Sequence, residues 1–329
     1  MNDLAELADY LVAQPAVAEK AHIHRAFEPA FEISSNIRLG DDCAAIPNPG
    51  GHGHLLFAAE GMLGAFVEED PWFAGYAAVM VNLSDVAAMG GRPIAITDVM
   101  WTPSDEISKT IWQGIQAASE SYGVPIVGGH TTHLDSGKAS LAAAVLGHAG
   151  DRLITSFDAK PGDHLVIAID MHGSYRQGKP FWNTSTTTPP HRLRSDLELL
   201  PSLVEKGLCH AGKDISNGGI IGTLAMLCSC SEVGAVLDLE SLPCPMDTEI
   251  EKWLTTFPSF GFLLAIAEED LESTLMHFTA TKVTCRAIGN FREEPGITIT
   301  ADGQSADLVF GEPCIHAAGH VFHAGEPVV

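Results

Sequence analysis

The sequence predicts an α/β (α+β) chain built as two successive domains, and three observations predict it. Strand-length apolar runs alternate with helical runs from about residue 37 onward, the pattern of sheets and helices sharing a core. The turn signal Lys160-Pro161-Gly162-Asp163 separates two apolar runs, after which the same rhythm begins again. A chain of 329 residues most often divides in two, at about 100–200 residues per domain. The boundary is therefore placed near Gly150, giving domains of residues 1–150 and 151–329, with residues 1–30 as a helical extension.

Residues 3–28 read as amphipathic helix pieces on either side of Pro15. Residues 37–47 and 54–62 read as strands around a glycine- and proline-rich turn. Residues 72–90 predict a helix, which Gly90 and Gly91 cap in a left-handed turn and Pro93 keeps from continuing. Asp85 has no polar face here to carry it into water: Asn82, Asp85 and Met89 share one stripe, while Val79, Leu83 and Val86 spread round the rest. Such an acid is either satisfied by neighbouring backbone or Arg92, or it faces a cation. Residues 92–101 predict a strand, 107–123 a helix capped by Ser104 and ended by Gly123, and 124–135 and 139–150 two short strands. In the second half, strand 165–170 leads to a polar loop over 171–190, a helix over 191–207, and a loop feeding a helix over 214–234. Loop 171–190 is too long and too rich in Ser and Thr for a plain connection, so it reads as a ligand loop or a mobile one.

Eighteen Lys and Arg against 42 Asp and Glu give a formal charge of −24. That balance argues against nucleic acid or an anionic membrane as partner, and any anionic ligand must be held locally. Seven scattered cysteines, with Cys228 and Cys230 spaced C-x-C, indicate neither a disulfide scaffold nor a redox pair and fit a reducing cytoplasm. The first residues carry acids where a signal peptide needs bases, and no apolar run approaches the roughly 18 residues of a membrane span.

Five short pieces place acids or imidazole in glycine-rich surroundings: Gly-Asp41-Asp42, Ala-Glu60-Gly, Asn-Leu-Ser-Asp85, Gly-Gly-His130 and Asp214-Ile-Ser-Asn-Gly-Gly. Each alone has an ordinary structural reading, a turn for Gly-Asp-Asp and a hydrogen-bonded residue for the histidine. Together they suit Mg²⁺, which takes hard oxygen ligands and leaves its remaining positions to water and nucleotide phosphates.

In chain order, GDDCAAIP, EGMLGAF, VNLSDVAAMGGRP, VGGHTT, KPGD, DISNGG and FPSFGFLLAI resemble the AIR synthase-like (PurM-like) superfamily over roughly residues 35–295. NLSDVAAMG is the most specific element, close to the corresponding motif of thiamine-monophosphate kinases. The superfamily also includes aminoimidazole ribonucleotide synthase, formylglycinamidine ribonucleotide synthase, selenide water dikinase and a hydrogenase-maturation dehydratase. The resemblance implies a two-domain PurM-like fold, with an N-terminal ATP- and metal-binding sheet that closes a barrel across a homodimer and a C-terminal α+β domain beside it. It implies ATP and Mg²⁺ as cofactors and a small-molecule substrate.

Carried over residue by residue, the resemblance makes Asp41, Asp42, Glu60, Asp85 and Asp214 metal ligands, with Asp42 a ligand or its orienting neighbour. It assigns Asn82, Gly128, Gly129, Ser216, Asn217 and Gly218 to the nucleotide, and Asp214 and His130 to catalysis. The amides of Gly218 and Gly219 are placed to open an anion site at the start of the following helix. Arg176 and Lys179, rare cations in an acidic chain, stand in the loop that contacts substrate in relatives.

Three departures from the kinases stand out: Ala59-Glu60 replaces Thr-Asp, His130 replaces Asp, and Asn217 replaces an acid. A neutral imidazole is a poor Mg²⁺ ligand. The leading expectation is a kinase-like ATP-dependent phosphotransferase. The alternatives are an ATP-driven cyclo-ligase or dehydratase and a catalytically silent nucleotide-binding homologue. Residues 173–180 mimic a Walker loop but end on Pro180, which has neither hydroxyl nor N–H for phosphate. Cys314, His316, His320 and His323 form an incomplete metal-like pattern in the tail, and Cys43 reads as a small buried thiol.

Overall fold

The computed structural model describes residues 3–20, 37–176 and 179–310. The histidine-rich tail, residues 21–36 and the middle of the Walker-like stretch therefore lie outside the described residues. The described chain divides into two compact units that interleave along the sequence. A terminal unit draws on 1–42, 153–186 and 203–329, and a central unit on 43–152 and 187–202.

The chain opens in the terminal unit with α1 (Leu4–Val12), capped by the Asp3 carboxylate on the Ala5 amide, and α2 (Pro15–Lys20). Pro15 breaks the helical run in two, as its missing N–H requires. The central unit then runs β1 (Ala44–Pro47), β2 (His54–Met62), α3 (Gly64–Glu69), α4 (Pro71–Ala88), β3 (Arg92–Thr102), α5 (Asp105–Tyr122), β4 (Ile126–His133) and β5 (Ser140–Ala149). These strands form one sheet in the order β1-β2-β5-β3-β4. Only the β3–β4 pair is parallel, joined through α5.

Helix α4 is buried almost all round, including Val79, Leu83, Val86 and Asp85. A helix apolar on every side belongs in a core, and this one packs on the sheet and against α5. The two helices cross at a glycine from each: a Cβ on Gly75 would lie 2.1 Å from the Ile111 carbonyl, and one on Gly114 1.8 Å from that of Trp72. The predicted caps are present. At the end of α4 Gly90 takes φ +73° while the Gly91 amide returns to the Val86 carbonyl, and at its start Asp70, which the sequence reading did not name, accepts from the Phe73 amide. Ser104 caps α5, which Gly123 closes with φ +74°.

The strand expected over 37–47 begins only at Ala44, because the Asp41 and Asp42 side chains turn onto nearby backbone instead of leaving a regular ladder. The terminal unit resumes with β6 (His164–Asp170), β7 (Ser174–Tyr175) and β8 (Phe181–Asn183). The helix expected over 191–207 is two, α6 (Pro190–Leu197) and α7 (Leu199–Glu205). Pro201 offers no N–H to a helix arriving from 190, so it fits only in the first turn of a new one.

The remaining elements are β9 (Ala211–Asp214), α8 (Gly219–Ser231), β10 (Gly234–Asp238), α9 (Ile250–Leu254), β11 (Phe257–Pro258), β12 (Gly261–Ile266), α10 (Leu271–Phe278), β13 (Val283–Arg292), β14 (Ile297–Ala301) and β15 (Gln304–Leu308). A seven-stranded sheet runs β15-β14-β10-β13-β6-β12-β9, and β11-β8-β7 forms a small second one. β6 and β12 are buried on both faces, which explains why LVIAID and GFLLAI read as continuous apolar runs. Segment 171–190 is thus partly built: the Trp182 indole donates to the Asp170 carbonyl at 3.1 Å and meets the Tyr175 and Trp253 rings edge-on. Among the described residues no helix is long and apolar enough to cross a membrane.

Candidate functional site

The terminal unit gathers three of the predicted acids around a lysine. Asp42 and Asp214 bring carboxylate oxygens within 4.8 Å of one another. Asp214 ends β9, held in the sheet opposite Phe262 of β12, and its amide donates to Asp42 Oδ2 at 3.2 Å. Lys213, one residue earlier and 4% exposed, donates through Nζ to Asp42 Oδ1 and, at 3.4 Å, to Ser156 Oγ. Asp41 accepts from Ser156 Oγ at 2.7 Å, from the Ser156 amide at 3.1 Å and from the Asp42 amide at 3.0 Å.

The electrostatics follow from this crowding. Burial and then the neighbouring Asp42 charge push the Asp41 carboxyl up to about 6, against the pull of Lys213 and Ser156. Burial works against the Lys213 ammonium, yet Asp42 and Asp41 outweigh it and hold the group above the usual lysine range. Cys230, also nearby, is pushed up to about 12 by burial and stays a thiol. The arrangement is a carboxylate cluster with an internal counter-ion. Sequence reasoning missed Lys213 and Ser156. The lysine's one signal was its place inside an otherwise apolar strand, directly before an acid.

At the next turn, Ser216 Oγ accepts from Lys20 Nζ at 3.0 Å, and Asn217 is exposed. Gly218 and Gly219 take φ +90° and +64°, and a Cβ on either would meet the backbone at Ala16 or Thr255. Packing and a left-handed turn therefore account for both glycines. The Gly219 amide donates to the Ser216 carbonyl at 2.9 Å, so it is not available for the anion site expected there. Arg176 and Lys179 lie across the β7–β8 turn, where the Lys179 amide donates to the Arg176 carbonyl.

The central unit holds the other predicted residues. Asp85 is 6% exposed on α4, as its stripe predicted. Asn82, one turn earlier, uses Nδ2 to bridge the Ala78 carbonyl at 2.8 Å and the Ala143 carbonyl of β5 at 3.3 Å, tying helix to sheet. Glu60 is exposed near the end of β2. His130 is exposed on β4, its Nε2 3.1 Å from Thr132 Oγ1. Gly128 and Gly129 also lie on β4, beside an acid that the sequence reading did not single out: Asp98 on β3, paired with Gly129 and 1% exposed. Cys43 is buried, its amide on the Met89 sulfur at 3.1 Å. The six described cysteines are all free.

A two-unit α/β chain with acids at strand ends and on a buried helix matches the class expected, and the family comparison agrees. The chain belongs to the AIR synthase related protein family: residues 40–149 match its N-terminal domain and residues 149–302 its C-terminal domain. The uncharacterized protein sll0787 of Synechocystis sp. is 46% identical over 82% of this chain and 83% of its own length. PurL, the phosphoribosylformylglycinamidine synthase subunit of Limosilactobacillus reuteri, is 25% identical over 73% of this chain, which spans 35% of that protein. Among solved structures, AaThiL complexed with AMPPCP and TMP superposes with a TM-score of 0.64 at 16% identity, covering 87% of this chain and 96% of that one. The last likeness establishes the PurM-like fold.

Proposed function

We propose that the chain is an ATP- and Mg²⁺-dependent enzyme that transfers the γ-phosphoryl group of ATP to a small substrate, in the manner of a thiamine-monophosphate kinase. The observation that carries this reading is the Asp41–Asp42–Asp214 cluster, built around Lys213 in a chain of this family. Its donor set fits Mg²⁺ at Asp42 and Asp214, whose carboxylate oxygens lie within 4.8 Å of one another, whereas Asp41 Oδ1 already accepts three hydrogen bonds. Asp85 and Glu60 are proposed as ligands on the family resemblance and on their oxygen chemistry. When bound, the metal offsets the charge that phosphates bring to an acidic chain.

The chain's own residues do the rest. Lys213 fixes one positive charge against Asp42, Ser156 orients Asp41, and β9 delivers Asp214 in a set position. Phosphoryl transfer is mostly positioning and charge stabilisation, so no side chain need act as nucleophile. The ThiL complex supports ATP and a small phosphorylated acceptor as the ligand class. The likeness to PurL supports a second reading, in which ATP activates a carbonyl or amide oxygen that is then expelled. Product analysis separates the two: a stable phosphate ester in the first, free phosphate with a dehydrated or cyclised product in the second.

The decisive experiment is calorimetric titration with ATP, with and without Mg²⁺, on wild type and Asp85→Asn. We expect binding that requires Mg²⁺ and weakens at least about tenfold in the variant, a loss of about 1.4 kcal/mol. Equal binding in both proteins removes Asp85 as a ligand. Tight binding without turnover across a substrate panel moves the catalytically silent reading ahead, with Glu60, His130 and Asn217 as its cause.

A further inference from the structure

We propose that the central unit carries a second binding site, for a small flat organic cation, anchored by Asp98. The site is a cavity of about 690 Å³ between α5 and strands β3 and β4, within the size range that encloses small-molecule ligands. Asp98 lines it from β3, Gly129 and Thr131 from β4, and Trp112, Gln116 and Glu120 from α5. The three α5 residues recur every fourth position, so they form one stripe of the helix.

Asp98 is the unusual member. It is 1% exposed, and neither carboxylate oxygen is hydrogen-bonded to another residue. An unpartnered buried carboxylate is destabilising, as an uncompensated ion is. Burial accordingly raises its carboxyl above the usual range, although its own amide works in the other direction. Natural sequences rarely keep such a group in a cavity wall without something to satisfy it. Gly129 is part of the same design: a Cβ there would lie 2.3 Å from Asp98 Oδ1, so only glycine leaves the carboxylate its space beside the strand edge.

The lining chooses the ligand. It holds two carboxylates, Asp98 and Glu120, and no Lys, Arg or His. Arg194 is committed to the carbonyls of Glu120 and Ser121, at 2.6 and 3.1 Å. An anion would find no positive partner there. A bare divalent ion is not favoured, because among the described residues no group of three His, Cys, Asp or Glu side chains converges at this cavity. An amidinium or aminoheterocycle offers paired N–H donors to an acceptor-only carboxylate, and its flat face can stack on Trp112. The site uses none of the residues of the carboxylate cluster, although Gly128 and Gly129, which the family resemblance gives to the nucleotide, stand in its wall.

Benzamidine is the probe, titrated calorimetrically into the full chain, with neutral benzamide as its uncharged counterpart. The expected result is one benzamidine bound per chain in the millimolar range or tighter, no benzamide bound, and a loss of about tenfold or more in Asp98→Asn. Absence of saturable benzamidine binding by wild type overturns the proposal. So does equal binding of benzamide, or unchanged affinity in Asp98→Asn. If that variant fails to fold by circular dichroism, Glu120→Gln replaces it, since Glu120 is exposed on α5. Weakened binding in Glu120→Gln supports the site, and unchanged binding overturns it.

Discussion

At the residue scale, the central feature is a lysine buried against acids. Lys213 and Asp42 are each 4% exposed, so neither charge is solvated enough to stand alone. Removing one partner of such a pair costs about 3–5 kcal/mol, whereas removing both is far milder. We expect Lys213→Met to lose about that much in urea denaturation, and Lys213→Met/Asp42→Asn to lose distinctly less. Additive losses would mean the two groups do not act as a pair. Asp41 makes a second prediction, through pH. Its carboxyl titrates at about 6 in the folded chain against 3.8 ordinarily. The folded state therefore holds a proton that the unfolded chain releases, so this group's contribution is full below about pH 4 and is lost as pH rises to about 6. Denaturation midpoints of wild type and Asp41→Asn across that window, without Mg²⁺, should diverge in slope, the variant being flatter. Asp41 and Asp42 were legible in GDD as acids in a turn. Ser156 was not, because it reaches Asp41 from 115 residues away in sequence, and no local pattern encodes that meeting.

At the element scale, α4 and α5 show what periodicity can and cannot deliver. Their existence, Ser104 as a cap and the glycine ends at Gly90 and Gly123 were readable, because capping is chemistry between near neighbours. The closeness of their crossing was not: it rests on Gly75 and Gly114, which in sequence look only like weak points in two helices. Gly114→Ala should raise helix propensity yet place a methyl group 1.8 Å from the Trp72 carbonyl. The helices must then separate, and we expect a lower melting temperature instead of the gain a surface glycine-to-alanine change gives. A rise in Tm would show that the crossing is looser than described. Loop 171–190 is the opposite case, where composition suggested a ligand loop or a mobile one, but Tyr175 packs on Trp182, Trp182 on Trp253 and Phe181 on Phe257, and short strands form there.

At the scale of the whole molecule, the central sheet is unevenly covered. One face lies under α4 and α5, while Phe57, Leu146 and Trp101 point from the other and are 49, 37 and 40% exposed. Apolar side chains grouped on one sheet face mark an interaction surface. We propose that a second copy of the chain covers it, as the family resemblance implies. Sedimentation should show a dimer at micromolar concentration for wild type and a monomer for Phe57→Asp. A monomeric wild type removes the shared barrel.

By itself the sequence determined the family and the alternation of strands and helices, and it singled out the acids proposed to carry chemistry. Those follow from local patterns of apolar spacing, capping and motif, which need no knowledge of the rest of the chain. The tertiary structure alone decided which residues meet. It brought Lys213 and Ser156 to Asp41 and Asp42, committed the Gly219 amide to its own turn, and set Asp98 beneath Gly129 without a partner. Such meetings depend on long-range packing and on which donors are already spent, and both are properties of the folded chain.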